Sequence, residues 1–169
     1  MAWEAWSRLL AAMDVSRIYV DTSVFGGCFD PELEVESKRF FDLVRAGRIT
    51  TLVSDVVVEE LERAPDRVRK LIEDLPTEVL ERAPVDGDAD RLARAYVEWG
   101  VVPERSWNDA RHVAAASRSR ADAIASWNFR DIVSPQRIRG FNAMNLTFGY
   151  GLVVILSPHG ISRATEELR

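Results

Sequence analysis

Short apolar runs that favour β-strands alternate along this chain with longer segments whose apolar residues recur at helical spacing. Charged residues, serine, glycine or proline bound these runs and limit each of them to a few residues. The predicted strands cover residues 18–20, 49–53, 77–80, 121–126 and 152–156. Strands separated by helices are typical of a parallel sheet, because a helical crossover returns the chain to the edge where the previous strand began. We therefore expect an α/β fold with three α-β-α layers and a mainly parallel central sheet.

Residues with special capping or backbone properties predict where the helices begin and end. Ser54 is a favoured N-cap, Pro135 suits the first turn of a helix, and Gly47 suits the position just past a helix end. Paired glycines and an Asp-Pro step predict a loop over residues 25–31. Helices are expected over residues 32–46, 55–64, 67–74, 86–99, 106–116 and 158–168, with another opening at residue 135.

Length and composition predict one folded domain. The chain has 169 residues, of which 47% are hydrophobic and 29% charged, and this is enough for a single core. We expect the domain over residues 17–158, an N-terminal amphipathic extension over residues 1–16 and a C-terminal tail helix over residues 159–169. The net charge of −5 excludes a uniformly basic surface for nucleic acid, but not a local basic patch. The lone Cys28 and the absence of a run of roughly 20 apolar residues predict a cytoplasmic protein without membrane contact.

Three acidic residues share a placement relative to the predicted strands. Asp21 directly follows the first strand, where parallel sheets present groups to a ligand. Glu60 lies two turns into the helix after the second strand, and Asp109 opens the helix before the strand at residues 121–126. Because parallel strands end at one edge, Asp21 and Glu60 can converge, and Asp109 joins them if its helix begins there. Crowded carboxylates favour Mg²⁺ or Mn²⁺, which activates water and stabilises phosphate charge during phosphodiester hydrolysis.

Four segments that contain these acids resemble, in this order, the PIN-domain family. Within that family the chain looks most like the VapC-type toxins of bacterial type II toxin–antitoxin pairs. The segments are residues 20–24 (VDTSV), 54–61 (SDVVVEEL), 108–116 (NDARHVAAA) and 124–129 (IASWNF). The resemblance extends from about residue 16 to residue 158. It implies a metal-dependent endoribonuclease with a parallel sheet and an acidic pocket.

The resemblance also implies roles for individual residues. Carried over position by position, Asp21, Glu60 and Asp109 become the metal ligands and act in catalysis together with Asn128. Many family members have Asp at this fourth position, whereas the amide of Asn128 adds no negative charge and accepts no proton. Asp131, three residues later, is a weaker substitute. The family further implies an RNA substrate, a cognate antitoxin protein that blocks the pocket, and a homodimer.

Several neighbours of these acids are candidates for contact with RNA. Hydroxyl groups can contact phosphate or cap a helix, and arginines can neutralise phosphate charge around an acidic pocket. The residues expected to bind substrate are Thr22, Ser23, Ser126, Arg111 and Arg130. Trp107, Trp127 and Phe129 are available to stack on unpaired bases, or to pack in the core.

Other interpretations stay open from the sequence. Asn128 also fits a non-catalytic PIN-like module that binds RNA or protein. A phosphotransfer enzyme with Asp21 as its nucleophile is a weaker alternative, because no second Asp follows two residues later. His112 stands one helical turn after Asp109, where a packed or hydrogen-bonded role is favoured over that of a general base.

Overall fold

The computed structural model describes residues 16–167 as five strands and eight α-helices. The strands are β1 (Arg17–Val20), β2 (Thr50–Ser54), β3 (Leu80–Ala83), β4 (Ala123–Ala125) and β5 (Val154–Leu156). The helices are α1 (Thr22–Gly27), α2 (Glu34–Arg45), α3 (Asp55–Glu62), α4 (Asp66–Glu73), α5 (Gly87–Glu98), α6 (Trp107–Arg118), α7 (Pro135–Thr147) and α8 (Pro158–Glu166). The helices flank a single sheet with the order β3-β2-β1-β4-β5, in which every pairing is parallel. The predicted three-layer α/β class is confirmed.

The central strand β1 explains why the strands read as continuous apolar runs. Ile18, Tyr19 and Val20 are all fully buried. A strand with neighbours on both sides and helices over both faces has no solvent-facing side, so its residues do not alternate between apolar and polar. The small side chains of the alanine-rich α6 are buried against the same core, which lets this helix pack closely on the sheet.

The order of the strands creates one crevice at the carboxyl edge of the sheet. The chain runs outward from β1 to β2 and β3, and then crosses back to place β4 on the other side of β1. The connections that follow β1 and β4 therefore diverge. This is the switch point at which parallel sheets bind ligands. Asp21 lies there, since its backbone N–H donates to the carbonyl of Ala125 at 3.0 Å.

The loop predicted over residues 25–31 is wrong in its first half, because α1 occupies Thr22–Gly27. Phe25 is fully buried, which anchors this short helix to the core. Gly27 serves close packing and not a turn, since a Cβ there would lie 2.5 Å from Ser37 Oγ and 2.8 Å from Trp127 Nε1. The strand predicted at residues 77–80 also differs, since Thr77–Val79 is a 3₁₀ turn that precedes β3.

Of the two predicted end segments, the C-terminal one lies almost entirely within the described residues. Apart from residue 16, the amphipathic extension predicted over residues 1–16 lies outside the described residues. Helix α8 begins at Pro158, where the helix over residues 158–168 is predicted to begin, and it packs against α2 with Ile161 and Ala164 buried in the core. Among the helices of residues 16–167, none is both long enough and apolar enough to cross a lipid bilayer.

Candidate metal centre

Asp21 is held between the ends of β1 and β4 by two hydroxyl groups. Ser23 Oγ and Ser126 Oγ donate to its Oδ2 at 2.6 and 2.7 Å. The residue is only 5% exposed. Because both hydroxyls use Oδ2, the other oxygen is oriented by them, and Oδ1 lies 3.3 Å from Nε2 of His112. Asp21 is therefore a fixed, buried carboxylate with one oxygen directed at its neighbours on the helical layer.

Glu60 extends from α3 toward the same crevice and is surrounded by donors. The Thr22 hydroxyl donates to Oε2, Nδ2 of Asn108 lies 3.1 Å from Oε1, and Nε2 of His112 lies 2.9 Å from Oε2. Burial opposes ionisation of Glu60, but hydrogen bonding and the charge of His112, with the bonds from Thr22 and Asn108, lower its pKa to about 2. Glu60 is therefore negatively charged throughout the neutral pH range.

His112 lies between the two carboxylates and is 1% exposed. Its Nε2 contacts both Glu60 and Asp21, while its Nδ1 is 2.8 Å from the Tyr19 hydroxyl. That hydroxyl is in turn 2.6 Å from Oγ of Ser54. Burial disfavours the protonated ring, yet the negative charges of Asp21 and Glu60 outweigh it, so the pKa of His112 is raised. Both ring nitrogens thus have fixed partners.

Asp109 lies in the first turn of α6, one turn before His112. The side-chain amide of Asn128 donates to its Oδ1 at 3.0 Å. Burial and the charge of Asp21 raise the pKa of Asp109 to about 6. The backbone N–H of Asn128 donates to Ser126 Oγ at 3.0 Å, and that hydroxyl donates to Asp21. Asn128, the residue at the predicted fourth position, is therefore linked to Asp21 through one hydroxyl. The structure thus brings all four predicted catalytic residues into one connected network.

Asp131, the weaker substitute for an acid at the fourth position, is 1% exposed and forms ion pairs with two arginines. Nε of Arg130 donates to its Oδ2 at 3.0 Å, and Arg137 lies 3.6 Å from its Oδ1. Its charge contributes to the raised pKa of Asp109. Asn128 Oδ1 accepts the backbone N–H of Asp131 at 3.0 Å, which orients the amide so that its nitrogen faces Asp109.

The three hydroxyls predicted to contact substrate are used within the protein. Ser23 and Ser126 both donate to Asp21, and they accept backbone N–H groups from Trp127 and Asn128. The Thr22 hydroxyl donates to Glu60. In this arrangement the hydroxyls orient carboxylates, and the sequence offered no means of distinguishing this role from phosphate contact.

The two arginines predicted to bind substrate differ in exposure. Arg111 is mostly buried as a side chain and lies 3.8 Å from both Glu59 and Asp90, so acids already neutralise it. The side chain of Arg130 is 77% exposed while it holds Asp131. Arg130 is therefore the one of the two whose guanidinium faces solvent beside the site.

Of the three aromatic residues, Phe129 is the most open to solvent. It is 55% exposed and its ring centroid lies 6.1 Å from that of Trp127. The Trp127 indole N–H bonds Ser37 Oγ at 2.9 Å, which anchors that ring to the helical layer. Trp107 packs near Arg94, whose guanidinium carbon lies 5.8 Å from the ring centroid.

The residues best placed to hold a metal ion together are Asp21, Glu60 and His112. One ligand atom from each lies within 4.8 Å of the others. The set predicted from sequence had Asp109 in place of His112, and Asp109 lies beside this group and interacts electrostatically with Asp21. Two carboxylates and an imidazole form a set of donors that can bind a divalent cation.

Two members of the site have weak signals in the sequence. His112 is expected from the sequence to be packed or hydrogen-bonded, which it is, but its partners are the candidate metal ligands. The available signal was its spacing, since i and i+3 positions of a helix share a face and Asp109 precedes it by three. Asn108, which donates to Glu60, carried no such signal.

Comparison with known proteins gives no match: no family model, no curated protein and no solved structure matches this chain. The resemblance to the PIN-domain family therefore depends on the four sequence segments alone.

Proposed function

We propose that this chain is a divalent-metal-dependent endoribonuclease. The observation that carries the proposal is the meeting of Asp21, Glu60 and His112 at the switch point of a parallel sheet, with Asp109 adjoining them. Mutual repulsion of buried carboxylates is relieved by a hard divalent cation, and phosphodiester hydrolysis is a reaction that such a cation assists.

The residues of the centre would divide the chemistry among them. A bound Mg²⁺ or Mn²⁺ supplies the Lewis acidity that activates water and offsets charge on the phosphate. Asp21 and Glu60 would hold the ion, since Asp21 is fixed by two serines and Glu60 stays ionised well below neutral pH. Burial and the charge of Asp21 raise the pKa of Asp109 to about 6 in the metal-free protein, and a bound cation would lower it, so Asp109 would be ionised beside the ion. Its Oδ2 would be the atom that accepts a proton from water, because Asn128 contacts Oδ1.

RNA is the substrate that the motif resemblance implies, and two exposed side chains support it. Phe129 follows Asn128 directly and exposes a ring that can stack on an unpaired base. Arg130 exposes a guanidinium next to it. The biological class, a toxin controlled by a cognate antitoxin protein and acting as a homodimer in the cytoplasm, follows from the resemblance to VapC-type proteins.

The test is cleavage of a panel of structured and single-stranded RNAs by the purified chain. We expect cutting in Mg²⁺ or Mn²⁺, none in excess chelator, and recovery when the metal is restored. Asp21→Asn is expected to abolish cutting, whereas His159→Gln, which changes the chain's other histidine, one that contacts Glu36, is the matched control. Equal cutting in chelator, or full activity of Asp21→Asn, contradicts the proposal.

A non-catalytic PIN-like module that binds RNA or protein is the second candidate. The neutral Asn128 favours it, because the amide replaces a charge with a hydrogen bond to Asp109. Glu60 also has protein donors on both oxygens. A calorimetric titration with Mn²⁺ separates the two functions, since no heat of binding at millimolar ion supports the module and saturable binding supports the enzyme.

A further inference from the structure

His112 Nε2 lies between the two carboxylates at distances that are typical of ligands around one metal ion. This nitrogen lies 2.9 Å from Glu60 Oε2 and 3.3 Å from Asp21 Oδ1. Neighbouring ligands of an octahedral ion, each about 2.1 Å from it, are separated by about 3.0 Å. The two separations around Nε2 therefore match those between ligands of one small divalent cation.

The second nitrogen of the ring is held as a metal-binding histidine requires. Nδ1 lies 2.8 Å from the Tyr19 hydroxyl, which lies 2.6 Å from Ser54 Oγ. Ser54 also caps α3 by accepting the backbone N–H of Val57, so this anchor is part of a rigid helix start. Histidines that bind metals almost always donate their other N–H to a polar partner, which orients the ring and leaves the ligating nitrogen unprotonated.

We propose that His112 Nε2 is itself a metal ligand, so that the centre is a mixed set of two carboxylates and one imidazole and prefers a first-row transition ion to Mg²⁺. Imidazole is a good ligand for transition ions such as Zn²⁺ and Fe²⁺, whereas Mg²⁺ is bound through oxygen. The inference builds on the proposed function's metal centre but not on its choice of RNA as substrate.

The expected consequence is selectivity among divalent ions. A nitrogen ligand adds affinity for first-row transition ions that Mg²⁺ does not gain, least for Mn²⁺ and more for Zn²⁺. We therefore expect Zn²⁺ to bind at least about tenfold more tightly than Mg²⁺, with Mn²⁺ between them. Replacing the ring by an oxygen-bearing side chain of similar reach removes this difference. His112→Gln is that replacement, since glutamine keeps both an amide donor and an oxygen ligand.

The direct experiment is pulsed electron paramagnetic resonance of the full chain loaded with Mn²⁺, without RNA. A ligating imidazole produces nitrogen hyperfine coupling to the ion, and we expect this coupling in the natural protein. It should disappear in His112→Gln and persist in His159→Gln, which alters the only other histidine. Absence of nitrogen coupling in the natural protein, its survival in His112→Gln, or its loss in His159→Gln would overturn the proposal.

Tyr19→Phe provides a second variant that keeps His112 in place. It removes only the hydroxyl between Nδ1 and Ser54, and loss of such an outer partner costs about 10- to 100-fold in metal affinity. Calorimetry should show weaker Mn²⁺ binding with Mg²⁺ binding much less affected. Unchanged Mn²⁺ affinity would count against a ligating ring, and equal losses for both ions would indicate that His112 only positions Glu60.

The outcomes separate this inference from the proposed function. RNA cleavage in Mg²⁺ by a protein whose bound Mn²⁺ shows no nitrogen coupling would overturn the ligand role and leave the nuclease intact. Nitrogen coupling without cleavage of any RNA would retain the mixed-ligand centre and remove the ribonuclease.

Discussion

The two edges of the parallel sheet both carry aspartate and glutamate side chains, but these side chains have different roles at each edge. At the amino edge, Glu81 is ion-paired with Arg17, and Asp122 accepts the backbone N–H groups of Ser16 and Arg17 at 3.1 and 2.7 Å. The hydrogen bond from Arg17 lowers the pKa of Glu81. Glu81 and Asp122 therefore each have hydrogen-bond donors from the protein, and both acids stabilise the fold.

Among the residues that the structure describes, the acids at the carboxyl edge outnumber their cationic partners. Asp21, Glu60 and Asp109 share one imidazole, that of His112. Burial and the charge of Asp21 leave Asp109 with its pKa raised to about 6. An edge with excess buried negative charge can bind a cation. An edge whose acids are already paired with donors has no excess negative charge with which to bind one. The difference lies in the supply of partners and not in the type of residue.

The largest expected effect is the difference in metal affinity and RNA cleavage between one Asp→Asn substitution at the carboxyl edge and one at the amino edge. Asp21→Asn removes a buried metal ligand, so we expect Mn²⁺ affinity and RNA cleavage to fall by more than about a hundredfold, beyond the loss typical of outer-shell changes. Asp122→Asn should leave both unchanged and cost about 1–2 kcal/mol of stability, because its N–H partners lose a charged acceptor. Calorimetry, cleavage rates and thermal melts measure these. Loss of cleavage in Asp122→Asn would contradict the comparison.

Metal binding should stabilise the protein through the carboxyl edge alone. At about 100 times its dissociation constant, Mn²⁺ is expected to add about 2.7 kcal/mol, which raises the melting temperature by about 5–10 °C for a domain of this size. Glu60→Gln should lose most of this rise, whereas Glu81→Gln should melt earlier yet keep it. Thermal melts with and without chelator provide the measurement, and an equal rise in both variants would show that the ion binds elsewhere.

Asn128→Asp should make the carboxyl edge more dependent on metal. An added carboxylate beside Asp109 raises Mn²⁺ affinity by about tenfold, since affinity grows with ligand charge. It also replaces the amide donor to Asp109 with a like charge, so the metal-free variant should be less stable by about 1 kcal/mol. Titration calorimetry tests the expected rise in Mn²⁺ affinity, and thermal melts in chelator test the expected loss of stability. Higher stability in chelator would contradict the role of the amide.

The smallest effect is a pH dependence of the chelated protein. The pKa of Asp109 is raised to about 6 in the fold, with Asp21 and Asp131 acting against its charge and His112 and Asn128 acting for it. A group whose pKa is higher folded than unfolded stabilises at low pH, and that stability is lost as pH rises through the folded pKa.

We therefore expect the metal-free protein to lose about 1 kcal/mol between about pH 5 and pH 8. The raised pKa of His112 acts in the same direction. Glu60, whose pKa is lowered from 4.5 to about 2, contributes a constant stability above about pH 4.5 and changes the profile only as the pH falls below that value. Melts of Asp109→Asn should show a flatter profile over this range. A natural protein that gains stability with rising pH would contradict the assignment.

Much of the fold followed from local patterns. The sequence predicts the cap at Ser54 and the helix start at Pro135. The Ser54 side chain accepts the N–H of Val57, and Pro135 is the first residue of its helix. The end of β1 at Asp21 was expected too, because a charge cannot continue a strand buried on both faces. The loop predicted at residues 25–27 is wrong, because Gly27 is needed for close packing against Ser37 and Trp127, which are distant in the sequence.

The sequence by itself determined the class of the fold, the strand that ends at Asp21 and the set of polar residues available beyond it. It could do so because strand and helix periodicities and capping residues act over a few neighbouring positions. Only the tertiary structure decided which partners meet. Tyr19 and His112 are 93 residues apart and Glu60 and His112 are 52 apart, yet they share hydrogen bonds. Packing of α6 on the sheet brings His112 between two carboxylates, and contacts of this kind across the core carry no local signature.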